Sequence, residues 1–260
     1  MRDEGEEERS MLAGAAVHLF SPNAVMDLLV TFFRLAISVP EEDEPLDYNR
    51  EWVQAIIRPL ETNHLRLLMT RWPEASGGGH TGTAALIVTV SNLLRLPLWE
   101  RGRGRVDTAE FMKVLDELQV VDILLTLSAK FLSPSLVALR SPVGLISALV
   151  VTSTTLTKQF VQCITAMASD GVRLLSAALA APKANDEEEV EVVTKTVSLV
   201  AHIARVSKEH YPFLDAVAIL PRICQLLTCS IPQVKAKACS AFGNLFRHSN
   251  LFCNDLQLHA

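Results

Sequence analysis

The sequence predicts an all-α fold of stacked helical repeats, and three observations carry that prediction. Apolar residues recur at the helical period along most of the chain, alternating strand patterns are almost absent, and one stretch near the C-terminal end repeats an earlier one at a fixed spacing. The clearest helix covers 234–249, VKAKACSAFGNLFRHS, where Val234, Ala238, Ala241, Phe242 and Leu245 share one apolar face. Two of these are Ala, so a neighbouring helix can approach closely. Lys237, Ser240, Asn244 and Arg247 form a polar stripe on the other side.

Shifting the chain by 42 residues places VSLVAHIARVS (197–207) on CSAFGNLFRHS (239–249). Lys195, Ser198, His202 and Arg205 then fall on Lys237, Ser240, Asn244 and Arg247. Val192, Leu199, Val200 and Ile203 fall on Val234, Ala241, Phe242 and Leu245. A third copy, ALIVTVSNLLR (85–95), aligns Asn92 and Arg95 with Asn244 and Arg247. Repeats of roughly 40 to 47 residues belong to the HEAT and armadillo class. The expected fold is therefore an all-α, armadillo/HEAT-like helical-repeat solenoid with loop insertions.

Taken in order, helical patterns run over 11–20, 22–39, 48–70, 83–97, 107–131, 135–152, 155–168, 170–180, 188–207, 211–228 and 232–248. Breakers separate them: Ser21-Pro22 and Ser133-Pro134 place a capping residue before a proline, and Asp170-Gly171 and Ser230-Ile231-Pro232 punctuate the later helices. The β-branched run LVVTSTT (149–155) reads as the end of a helix. Three insertions stand out: EEDEPLD, PEASGGGHTGT and PKANDEEE. Leu175 to Val192 spans 17 residues where the corresponding Leu227 to Val234 spans 7, so about ten extra residues carry the last acidic run.

In domain terms, residues 1–10 read as an acidic tail and 11–260 as the repeat region, expected to continue past the end of the chain because no polar capping repeat is visible. The chain is 49% hydrophobic and only 6% aromatic, with a mean hydropathy of +0.26. Charges interrupt every apolar run before it reaches the roughly 18 residues that a membrane helix needs, so stacked helices explain the hydropathy better. The acidic start does not fit a secretory signal, and five cysteines without CxxC spacing read as reduced thiols in a cytoplasmic protein. Residues 1–9, 41–47 and 186–191 hold five acids each, which leaves 14 acids against 22 bases elsewhere. Acidic loops on a mildly basic helical body suit an anionic peptide partner better than nucleic acid.

Catalytic and metal motifs are weak. Gly77 to Thr83, GGGHTGT, has two glycines at phosphate-loop spacing, but Thr83 and Ala84 stand where Lys and Ser or Thr are needed. It reads as a flexible linker. His202, His210 and His248 lack partners at metal-ligand spacing and read as surface or capping residues. No protein-kinase motif occurs.

The block ILPRICQLLTCSIPQVKAKACSAFGNLFRHSNLF (219–252) resembles the armadillo-type repeats near the C-terminus of Fused-type serine/threonine protein kinases. Arg247-His248-Ser249 carries the likeness beyond general armadillo repeats. The resemblance implies a non-catalytic regulatory region in signalling, cilium assembly or cytokinesis, with kinesin-like or signalling partners and a cytoplasmic, cytoskeleton- or cilium-associated location. The alternative is a fragment of a serine/threonine kinase whose ATP-binding domain lies outside this chain. In armadillo repeats the third helix lines a concave groove. Asn92, Arg95, Lys195, Ser198, His202, Arg205, Lys237, Ser240, Asn244 and Arg247 are therefore the expected partner-binding residues, with no cofactor, no nucleic acid and no membrane insertion. A helical spacer without a groove is the remaining rival, and it predicts that these residues point into interfaces.

Overall fold

Apolar periodicity sets where the helices lie, and local caps set where they start. The computed structural model describes residues 50–61, 78–100, 108–133, 135–247 and 251–253. The patterns at 11–20 and 22–39 and the acidic segments 1–9 and 41–47 lie outside the described residues, within which all regular structure is helical. α1 (Arg50–Ile57) runs into a 3-10 turn, Arg58–Leu60, at Pro59. α2 (Gly78–Glu100) begins earlier than the sequence suggests, because GGHTGT is helical rather than a linker. Once the packed turns from Thr83 onward exist, each further residue adds a hydrogen bond without a new nucleus, so even glycines join.

The pattern at 107–131 is two helices, α3 (Thr108–Glu117) and α4 (Val120–Phe131), broken at Gln119 with φ 53 and ψ 40. α5 (Leu136–Thr152) starts where Ser135 accepts a hydrogen bond from the Ala138 amide. Ser153 alone separates it from α6 (Thr154–Ala166), and its hydroxyl accepts from the Leu156 amide. α7 (Ser169–Ala178) and α8 (Glu187–Val206) follow. The pattern at 211–228 also divides, into α9 (Tyr211–Ala216) and α10 (Ile219–Leu227), before α11 (Pro232–Leu245). Ala218, with φ 51 and ψ 47, makes that break.

The long helices form a row. α2 packs on α5, α5 on α8, and α8 on α11, and these are the most extensive helix contacts. Two shorter helices precede each of α5, α8 and α11, so the order short, short, long occurs three times among the described residues. The joints between the two short helices carry Gln119, Ala168 and Ala218, each at positive φ and 49 and then 50 positions apart. This structural period is more regular than the sequence repeat.

Flanked on two sides, α5 is apolar around most of its circumference: Leu136, Leu139, Leu145, Ile146, Leu149 and Val150 are all buried. α10, covered on one side, buries only Ile219, Leu220, Ile223 and Leu226. The elevated hydropathy of the chain is thus a packing property. Gln159 on α6 ties consecutive units together: it is 6% exposed, its Oε1 accepts from the Val121 amide at 3.0 Å, and its Nε2 donates to the Asp116 carbonyl at 3.2 Å. Gly171, read from sequence as punctuation, lies inside α7, where a Cβ would fall 2.4 Å from the Ile164 carbonyl oxygen of α6.

Two stability effects of opposite sign follow from these positions. Gly171→Ala forces backbone apart and is expected to destabilise by more than about 2 kcal/mol. Ala218→Gly relieves a left-handed alanine and is expected to stabilise by about 0.5–1 kcal/mol. Urea unfolding midpoints of the two variants test both, and equal shifts in one direction would contradict this account of the joints.

Candidate functional site

The predicted partner-binding residues lie on three members of the row. Asn92 and Arg95, on α2, are half-buried. On α8, Lys195, Ser198 and His202 are half-buried and Arg205 is exposed. Lys237 and Ser240 on α11 are exposed, Asn244 is half-buried, and Arg247 is exposed just past the end of that helix. Arg205 approaches its neighbour on the stripe, with Nη2 3.4 Å from His202 Nδ1. Tyr211 of α9 donates from Oη to the Asn244 carbonyl oxygen at 2.8 Å, which fixes the C-terminal end of α11.

The sequence repeat overlooks α5, the member of the row between α2 and α8. Its Gly144 is where Arg95 and Lys195 meet: a Cβ built there would lie 3.1 Å from Arg95 Nη1 and 3.2 Å from Lys195 Nζ. Arg95 therefore shares its surroundings with Lys195 across one glycine. A signal for α5 does exist in the sequence. LVVTS (149–153) and IARVS (203–207) both end on a serine that caps the next helix, Ser153 for α6 and Ser207 for the 3-10 turn Lys208–His210. The acidic insertion before α8 lengthens this spacing beyond 42 and hides it.

That acidic run, which reads as an inserted loop, is instead the cap and first turns of α8. Asp186 accepts from the Glu188 and Glu189 amides at 3.1 Å, and the carboxylates that follow sit at the positive end of the helix dipole. Glu189 turns back to accept from the Lys183 amide at 2.8 Å and from Lys183 Nζ at 3.0 Å, and these bonds hold its carboxyl below the ordinary range. Arg140 of α5 donates from Nη1 to Glu188 and from Nε to Glu191, both at 2.6 Å, while Lys195 donates to Glu191. Burial pushes Glu191 up, but the bonds from Lys195 and Arg140 outweigh it and leave its carboxyl low. Burial lowers Arg95, Glu191 opposes that shift and Arg140 adds to it.

Farther along the row the cations stand apart from acids. Among the described residues Arg205, Lys237 and Arg247 have no carboxylate partner. Burial pushes the Cys163 thiol up to about 12, so it stays protonated at neutral pH. His210, expected to be a surface or capping residue, is 8% exposed and stands at the N-cap of α9 without a side-chain cap bond. Among the described residues no group of three or more His, Cys, Asp or Glu side chains could hold a metal ion, and no helix is long and apolar enough to cross a membrane.

Among the described residues, an all-helical fold with a row of long helices is the class that these observations define. No family model matches it, and no solved structure does. Among curated proteins it is similar to the serine/threonine-protein kinase TIO of Arabidopsis thaliana, 31% identical over 65 residues, which is 25% of this chain and 5% of that protein. The match thus spans a small fraction of the length of the relative.

His202 and His210 are both held below the ordinary histidine value, in each case chiefly by burial, with Arg205 adding to it for His202, and with Glu209 opposing it and Lys158 adding to it for His210. A lowered histidine stays neutral in the folded chain while the unfolded chain takes up protons, so the stabilisation is complete above about pH 6.5 and is lost as pH falls through the folded values. The thermal midpoint is expected to drop between pH 7.5 and pH 5. His202→Gln and His210→Gln should each flatten that slope, and unchanged slopes in both would refute the assignment.

Proposed function

We propose that the chain is a non-catalytic protein-interaction scaffold, an armadillo/HEAT-like solenoid whose row of long helices holds an acidic segment of a partner protein. The observation that carries this reading is the set of cations Arg205 on α8, Lys237 on adjacent α11 and Arg247 just past its end, without carboxylate partners among the described residues. Two further features support it: the three-fold recurrence of short, short, long helices, and a residue of positive φ at the joint between the two short helices of each. In this reading Asn92, Ser198, His202, Ser240 and Asn244 supply hydrogen bonds to the partner's backbone, while the cations select its acids.

The similarity to a serine/threonine-protein kinase supports a second, compatible reading. The chain would belong to the regulatory repeat region of a Fused-type kinase whose ATP-binding domain lies outside it, with signalling or kinesin-like partners at a cytoplasmic or ciliary site. Neither reading gives these 260 residues a phosphotransfer step.

Double charge reversal, Arg205→Glu with Arg247→Glu, is the test of the interaction surface. Proteins captured from extract by the wild type and identified by mass spectrometry should fall about tenfold or more with the variant, while circular dichroism stays unchanged. An unchanged set of captured proteins would defeat the groove. Separately, ATP with Mg²⁺ is expected to leave the thermal midpoint unmoved, and a concentration-dependent rise would overturn the non-catalytic reading.

A further inference from the structure

The paired half of the row poses a question that the unpaired half does not. Arg95 from α2 and Lys195 from α8 meet beside Gly144 of α5, while Lys195 and Arg140 of α5 share Glu191 and Arg140 also holds Glu188. A glycine inside a helix weakens it relative to alanine, yet here it lies mid-helix and buried, with the tips of two cations 3.1 and 3.2 Å from where a Cβ would be. A Cβ at that position would push the tips of Arg95 and Lys195 outward by a few tenths of an ångström. Glu191 is shared between Lys195 and Arg140 and acts electrostatically on Arg95, and its side chain remains 29% exposed. One carboxylate thus serves cations from three consecutive long helices, from a position where it can rotate into solvent.

We propose that the surface over Gly144 is a carboxylate seat of the partner-binding face, and that Glu191 is its resident occupant, exchanged for a carboxylate of the partner's acidic segment. The inference rests on the scaffold reading and adds to it a defined subsite and a built-in competitor. Exchange keeps the ion pairs of Lys195 and Arg140 satisfied, since the incoming carboxylate replaces the outgoing one, and Glu191 regains water. Glu188 keeps its own bond to Arg140 during the exchange. Such a competitor raises selectivity, because a single stray acid gains nothing by replacing Glu191, whereas a segment also anchored at Arg205 and Arg247 does.

The alternative, an ion cluster that only fastens helices together, predicts different outcomes for one variant. The full chain is titrated into fluorescein-labelled hexaglutamate at about 50 mM salt, where screening is modest, and anisotropy is read for wild type, Glu191→Gln, Lys195→Gln and Gly144→Ala. Glu191→Gln should bind about fivefold or more tightly and Lys195→Gln about tenfold more weakly. Gly144→Ala should melt at the same or a higher temperature while binding more weakly, because a methyl group lifts both cations. Glu191→Gln binding no more tightly than wild type overturns the seat, as does absence of binding by both proteins. If Arg205→Glu with Arg247→Glu abolishes binding while Lys195→Gln leaves it intact, the seat is wrong and the scaffold reading stands. Indifference of the peptide to both sets of changes removes both.

Discussion

Everything in this chain depends on α5 being packed between α2 and α8. A helix gripped from two sides can spare only a narrow strip for polar residues, and that strip determines which chemistry the molecule shows along the row. On α5 the strip holds Arg140 and Gly144, and on α8 it holds Glu191, Lys195, Ser198, His202 and Arg205. Burial of the large aliphatic side chains of α5 stabilises the row by about 1.5–3 kcal/mol each, against about 0–1 kcal/mol for an exposed ion pair such as Arg140 with Glu188. Apolar packing therefore holds the row together, and the charges are left to discriminate between partners.

Inter-unit register has a different origin. The Gln159 amide reaches the joint between α3 and α4 from α6, accepting from one backbone group and donating to another. An amide that is 6% exposed and satisfied at both ends fixes position, because sliding by one residue would leave it unpaired in an apolar setting. Close contact of Gly171 with the Ile164 carbonyl does the same within the second unit by steric means.

The legibility of the fold in the sequence varied with the kind of signal. The starts of α5 and α11, marked by Ser133-Pro134 and Ser230-Ile231-Pro232, were readable to within a residue or two, although the hydroxyl that caps α5 is that of Ser135 and the cap of α8, Asp186, was read as part of an inserted loop. The breaks at Gln119 and Ala218 were not readable, because a left-handed glutamine or alanine has no sequence signature and is imposed by the packing of the helices on either side. The glycine-rich start of α2 was misread for the converse reason, since propensity favours a linker and tertiary packing overrides it. Of the candidate site, the stripes on α8 and α11 were visible because their repeats have the same length. Arg140 and Gly144 were not, because the acidic insertion shifts the register before α8 and glycine leaves no polar mark.

Ser153 and Ser207 carry a last consequence. Each is a single residue between a long helix and the next element, accepting a hydrogen bond with its hydroxyl from the turn that follows. A connector of one residue has no slack, so adding one residue to α5 or α8 would rotate everything downstream by about 100°. The connector that precedes α8 is long and has room to absorb insertions. Room for growth at α8 therefore lies on its N-terminal side, between α7 and α8 and inside one short, short, long unit.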